Sequence, residues 1–470
     1  MTALAQCLCD LGKSVAGADV AEDFVTASQL ALLPNVEVAT GFEGELPPET
    51  EVVIYSGAHG GQTNPLVQKA LARDIKIYSH AQALGELANL NPNWAICGAN
   101  GKTTTTAMLA FCLEKMGLEP SYAVGVGEIK GLERIGRYTR AENFFVVEAD
   151  EYAEDVTQID RQVGLKIARF HYLLPETIII PNLSFDHPDV YRNLAHTQEI
   201  FGNFMVENLR TEGILVANAD DENLRPLLER VEKERPDVQI MTFGQSEGAS
   251  LQLNFDQVKL DSEQKAQTVS AIWQESEEEF ELSLGIPGLY NLQNAAAALT
   301  AMLAHDLPLE ESVLMLREFT STRRRFEILG EINQVLFIDD YAHHPDEIEA
   351  VIAAARAWYP GRRLVVAFQS HTYSRTKALF HEFAQALAAA DQILMIDIFP
   401  SAREPITPTV TSDELCATLN QLKPSLNAIN LHTIPALADY CRDQLQSGDL
   451  LLSLGAGDIY HFWDLLSPQN

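Results

Sequence analysis

The chain has 470 residues, with 66 acidic against 33 basic side chains and a formal net charge of −33. Such a length leads one to expect about three domains with cores of their own, and such a charge excludes a nucleic-acid-binding surface, which needs a basic footprint. Apolar residues make up 46%, yet no run approaches the roughly 18 needed for a membrane span. The six cysteines, Cys7, Cys9, Cys97, Cys112, Cys416 and Cys441, form no C-x-x-C pair and no zinc spacing. They are expected to be reduced core thiols of a cytoplasmic protein.

The first residues, "MTALAQCLCDLGKSVAGAD", predict a helix, a stop at Gly12 and a strand ending at Asp19. That is the second half of a dinucleotide-type β-α-β unit with an acidic residue closing its second strand. The first strand and its G-x-G-x-x-G loop are missing, so the chain is expected to start inside a unit, through a misassigned or trimmed start. "EVVIYSG" and "KIYSH" continue an α/β layer to about residue 92, and Asn89 to Asn93, "NLNPN", is expected to be a linker.

From Trp94 the pattern restarts as strand, loop and long helix. Apolar strands recur at "NFFVVEAD", "ETIIIPN" and "GILVAN", with helical stretches such as "NLAHTQEIFGNFMVENL" between them. This alternation predicts a mostly parallel, doubly wound sheet. Residues 245–285 are more polar and predict a small antiparallel flap, followed by the helix "NLQNAAAALTAMLAHD". A third α/β set begins near residue 320, with strands at "VLFIDDY", "RRLVVAFQ", "QILMIDIF" and "DLLLSLGAG".

The stretch "WAICGANGKTTTTAML" lacks the glycine that the pattern G-x-x-x-x-G-K-[ST] requires; Ile96 stands there. A strand, a glycine loop (Gly98, Ala99, Asn100, Gly101) and a helix nevertheless aim backbone N–H groups and a helix N-terminus at one spot, which suits phosphate. Lys102 can reach the β- and γ-phosphates and Thr103 can ligate Mg²⁺, with Thr104 next in the first turn. The rival reading is a glycine turn with a solvated lysine. "VVEADEY" brings Glu148 to a strand end, where a carboxylate can hold the metal that bridges nucleotide phosphates. "NLSFDHPDVY" offers Asp186, His187 and Asp189 at another strand end. "STRRRFE" is either a solvated face or an anion clamp. "FIDDYAHHPDE" places Asp339, Asp340, Tyr341, His343 and His344 after a strand, with Pro345 suited to a helix start. "FQSHTYSRTK" brings His371 and Arg375 to the end of the following strand, so one shared site is expected. The histidine spacing fits no H-E-x-x-H zinc pattern.

Taken in order, "GANGKTTTT", "EADE", "DHPD", "GLYNLQNAAAA", "RRFE", "DDYAHHPDEI", "FQSHTYSRT" and "GDLLLSLGAGDIY" resemble the motifs of the Mur ligase family, from about residue 19 to 460. The family's phosphate loop is shorter than the standard one, which accounts for Ile96. The resemblance implies an α/β protein of three domains: an incomplete Rossmann-like UDP-sugar domain (1–92), a P-loop-type ATPase domain with a parallel sheet (93–319) and a Rossmann-like amino-acid domain (320–470). It implies an ATP- and Mg²⁺-dependent ligase acting on UDP-N-acetylmuramate through an acyl phosphate, with L-alanine as the incoming amine. A tripeptide acceptor, favoured by the long stretch before "DHPD", and an inactive nucleotide-binding homologue are the alternatives. Carried over by position, Lys102 and Thr103 serve phosphates and Mg²⁺, and Glu148 and His187 the metals. Asn291 and Asn294 lie near adenine, Arg325 and Asp340 on the nucleotide, His344 and Arg375 near the amino acid. Asp19, Ser56 and Asn64 lie on the UDP side. Thr372 stands where some relatives carry arginine, which leaves the amino-acid choice open.

Overall fold

A computed structural model describes residues 1–21, 25–33, 36–139, 143–154, 159, 163–186, 190–400 and 410–466. The chain divides into two compact units, one of Met1–Val258, Thr268–Leu284 and Asn291–Thr322, the other of Lys259–Gln267, Gly285–Tyr290 and Arg323–Asn470.

In the first unit the strands Gln239–Gly244, Ile214–Asn218, Thr177–Ile180, Asn93–Ile96, Phe145–Glu148 and Ser121–Ala123 lie side by side in that order, all parallel. Asn93–Ile96 and Thr177–Ile180 are buried at every position. That matches strands covered on both faces, whose sequences read as unbroken apolar runs. The helix Lys102–Lys115 is buried from Thr104 to Leu113, so it crosses the interior. Beyond Gln239–Gly244 the polar segment forms the expected antiparallel addition, with Leu251–Leu253 against residues 271–273. No helix among the described residues is long and apolar enough to cross a membrane.

The first 92 residues are α/β, as expected. Among the described residues Ala16–Asp19 pairs with Glu37–Thr40, and Val52–Tyr55 with Lys76–Ser79, as two separate parallel pairs. The helix Thr2–Asp10 lies along the edge of the central sheet. The Gln6 Oε1 accepts from the N–H groups of Ile135 (3.2 Å) and Gly136 (2.7 Å). The Asp10 carboxylate accepts from Tyr138 N (2.9 Å) and Arg134 (2.9 Å). Sheet edges carry unpaired N–H groups that need partners, and here side chains of a helix supply them. Gly136 permits the approach: a Cβ there would sit 2.2 Å from the Ala3 carbonyl oxygen. Gln6→Ala would leave two buried N–H groups unpaired, at roughly 1–3 kcal/mol each.

The segment Asn89–Asn93 is hydrogen-bonded down along its length. The side chains of Asn89, Asn91 and Asn93 donate to the carbonyls of Tyr172, Asn143 and Leu174, and Leu87 and Ala88 join the central core. Three amides spaced two apart stitch this turn down between the helix ending at Ala88 and the strand starting at Asn93.

In the second unit Val335–Asp340, Leu450–Leu454, Leu364–Phe368 and Gln392–Met395 are parallel neighbours in that order. An antiparallel edge strand that the sequence did not announce, Glu327–Ile332, pairs with Val335–Asp340. Separate apolar clusters cover the two faces, one around Ile338, Val366 and Leu452, the other around Phe337, Val365 and Leu451. Alternate residues of the same strands feed opposite faces.

Candidate active site

Ile96, the residue that breaks the standard spacing, is the last residue of a strand and fully buried. The loop therefore turns only from Cys97 and needs no glycine at 96. Gly98 (φ 124°) and Gly101 (φ 85°) take backbone conformations that a Cβ disfavours. Added Cβ atoms would also lie 2.6 Å from Asn182 O and 2.1 Å from Asn294 Oδ1. Not all the loop's N–H groups face outward. Asn100 N donates to Asn182 Oδ1 (2.8 Å) and Ala99 N to Asn182 O (3.2 Å), while Asn182 Nδ2 returns a bond to Asn100 O (2.8 Å). The outward-facing donors are those of the first turn of the helix Lys102–Lys115, whose leading N–H groups have no partner within the helix.

Lys102 folds back over this loop. Its Nζ donates to Gly98 O (2.7 Å), Ala99 O (2.9 Å) and the Glu151 carboxylate (3.0 Å). Burial works against its charge, but Glu151, then Glu148 and Asp150, outweigh it and hold the ammonium above its ordinary range. Thr103 Oγ1 donates to Glu148 Oε1 (2.7 Å), and Gly125 N fixes Glu148 Oε2 (2.8 Å). A hydroxyl and a carboxylate held together are hard oxygen donors of the kind Mg²⁺ takes, together with water and phosphate. The residues present therefore fit that ion. Among the described residues no group of three or more His, Cys, Asp or Glu could hold a metal. His187, with Asp189, lies outside the described residues. Asn291 and Asn294 are buried, with Asn294 Nδ2 donating to Asn291 Oδ1 (3.4 Å), and Asn294 lies against Gly101.

In the second unit the three arginines of "TRRRFE" part company. Arg324 is buried, its Nε on Asp339 Oδ2 (2.9 Å) and its other nitrogens on Gly457 O (3.0 Å) and Gly455 O (2.5 Å). It braces the strand ends and is spent on that task. Arg325 is half-buried over the Tyr341 ring, 5.3 Å from its centroid. Asp340 is buried at the end of its strand and accepts from Phe326 N (2.7 Å) and Ala342 N (2.8 Å). Burial raises its carboxyl to about 6, against the pull of Arg325 and of those two N–H groups. His344 caps the helix Pro345–Trp358, Nδ1 accepting from Asp346 N (3.3 Å), so Pro345 starts a helix as expected.

Arg375 is half-buried on the helix Tyr373–Ala378, capped by Thr372, itself at φ 70°. The strands ending at Asp340 and Phe368 are not neighbours, because Leu450–Leu454 runs between them. The glycine turn after that middle strand joins the two ends. Gln369 holds it, donating to Asp458 (2.8 Å) and accepting from Ile459 N (3.0 Å). His343 and His371 still come within 6.4 Å, centroid to centroid.

Of the residues expected on the UDP side, Asp19 closes its strand with His59 Nε2 3.7 Å away. Ser56 follows the strand Val52–Tyr55 and is half-buried. Asn64 is a buried helix cap, accepting from Leu66 N and donating to His59 O, both at 3.0 Å. Reasoning from the sequence passed over Glu151, Asn182, Gly125 and Gln369. Only Glu151, the second glutamate of "EADE", carried a visible signal.

Three family models match successive stretches of the chain: "Mur ligase family, catalytic domain" over residues 1–91, "Mur ligase middle domain" over 96–302 and "Mur ligase, glutamate ligase domain" over 324–457. The chain belongs to the Mur ligase family. Within that family it is 33% identical over 468 residues to the UDP-N-acetylmuramate–L-alanine ligase of Clostridium tetani, covering 99% of this chain and 95% of that one. It is 33% identical over 460 residues to the enzyme of the same name from Carboxydothermus hydrogenoformans, covering 98% and 92%. Among solved structures, a UDP-N-acetylmuramate–alanine ligase from Thermotoga maritima superposes with TM-score 0.78 at 24% identity, covering 99% and 95%. A murein peptide ligase from Psychrobacter arcticus gives 0.67 at 22% identity over the same shares. These two likenesses establish the Mur ligase fold.

Proposed function

We propose that this protein joins L-alanine to the lactoyl carboxylate of UDP-N-acetylmuramate, with ATP converted to ADP and phosphate. The observation that carries the proposal is the gathering of Lys102, Thr103 and Glu148 at one end of adjacent parallel strands. It stands in a chain matched over nearly its whole length by relatives named for that reaction. A carboxylate is a poor electrophile. Attack on the γ-phosphorus of ATP releases ADP and gives an acyl phosphate, whose phosphate leaves when the amine adds.

Several anionic groups must meet at one phosphorus, so cations are required. Lys102 supplies one, kept protonated by its carboxylate neighbours. Thr103 and Glu148, with His187, are assigned to Mg²⁺, which when bound neutralises phosphate charge. Gly98 to Thr104 and Arg325 are assigned to the phosphates, Asn291 and Asn294 to adenine, Asp340 to the nucleotide. His344 and Arg375 are assigned to L-alanine, an arginine being suited to its carboxylate, and Asp19, Ser56 and Asn64 to the UDP moiety. The working division is 1–92, 93–319 and 320–470. A cytoplasmic setting belongs to the same proposal, supported by six free cysteines.

The test is ADP release with UDP-N-acetylmuramate across L-alanine, glycine, L-serine and the tripeptide acceptor. Release that requires the sugar nucleotide and L-alanine together is the expected result. Turnover with the tripeptide alone would overturn the choice of amine, and none with any acceptor the reaction itself.

A further inference from the structure

Beneath the loop lies a charged group to which the reaction above gives no part. Glu151 is nearly sealed, its side chain 6% exposed, and its oxygens stand 2.9 and 3.0 Å from Lys102 Nζ. Its backbone is pinned: Tyr191 donates its hydroxyl to Glu151 O (2.6 Å), and Asp150, the preceding residue, is ion-paired with Arg169. A buried ion pair is weak evidence for stability, since desolvation offsets the attraction. A carboxylate under a phosphate loop therefore needs another reason.

Geometry supplies one. An ammonium has three donors, and in Lys102 they go to Gly98 O, Ala99 O and Glu151. The two carbonyls belong to the loop and move with it. Only Glu151 ties the ammonium to a different strand end, the one that also carries Glu148. We infer that Glu151 is a positioning residue: it fixes the Lys102 ammonium relative to Glu148 and Thr103 before the triphosphate arrives, and it is the contact that the γ-phosphate partly replaces. This rests on the ATP-dependent reading above and gives that site an element of registration. A misplacement of about 1 Å costs up to 10²-fold in rate.

The test compares Glu151→Gln, which keeps size and removes charge, with Glu151→Asp, which keeps charge on a shorter arm. Four measurements go together: kcat and KM for ATP, ADP binding by calorimetry, the thermal unfolding midpoint, and labelling of Lys102 by an amine reagent at fixed pH, read by peptide mass spectrometry. In Glu151→Gln, kcat is expected to fall about tenfold or more while KM for ATP moves less than about threefold. Lys102 should label faster than in the parent, and Glu151→Asp should recover part of kcat. Unchanged labelling with unchanged kcat overturns the inference. So does a loss confined to the unfolding midpoint, which would make Glu151 merely structural. If the parent binds no ADP while Lys102 still labels faster in Glu151→Gln, the positioning stands and the ATP reading falls.

Discussion

The loop at Lys102 and the strand end at Asp340 handle charge in opposite ways. At the loop, a buried cation meets a buried carboxylate and its donors are all satisfied within the protein. At Asp340 a buried carboxyl is held by two backbone N–H groups, and burial still lifts it to about 6. The adjacent arginine, Arg324, is committed to Asp339. The first arrangement keeps its charge at any physiological pH; the second is poised to lose or gain it.

The sharpest way to break this comparison is Lys102→Ala. Turnover is expected to fall by on the order of 10³-fold while circular dichroism stays native; retained ADP release would remove the loop from the chemistry. Next come the neighbouring arginines. Arg324→Ala strands the buried Asp339 and is expected to cost about 3–5 kcal/mol in urea unfolding. Arg325→Ala, at a half-buried site, is expected to cost under about 1 kcal/mol there and to act on turnover. Equal stability losses would erase the distinction between them.

The other side of the comparison is tested at Asp340. Its folded value, about 6, exceeds the ordinary 3.8, so the folded state binds the proton more tightly than the unfolded one. The contribution is fully present below pH 3.8 and is lost as pH rises through about 6. The unfolding free energy of the parent, relative to Asp340→Asn, should therefore fall between pH 4 and 6.5 by about 2 kcal/mol. A flat difference would mean the carboxyl is not lifted.

How far all this was legible differs by kind of signal. Apolar runs such as "ETIIIPN" and "RRLVVAFQ" announced their strands, because burial on both faces leaves no polar alternation to confuse. The glycine turn between strand and helix was legible through Gly98 and Gly101. Its true anchor, Asn182, was not, since an amide 82 residues away becomes relevant only once two strands are neighbours. The three arginines looked alike as letters; positive φ at Arg324 (61°) turns that side chain inward, and no local pattern encodes it. The contacts of the first helix were hidden for a similar reason. Gln6 and Asp10 pair with N–H groups more than 120 residues distant.

The bonds between Asn182 and the loop bear on affinity as well as on shape. With Ala99 N and Asn100 at both its N–H and its carbonyl already committed, the loop has surrendered much of its conformational entropy at folding. A nucleotide arriving there need not supply it again. The cost of ordering is charged to the stability of the chain, and binding is relieved of it.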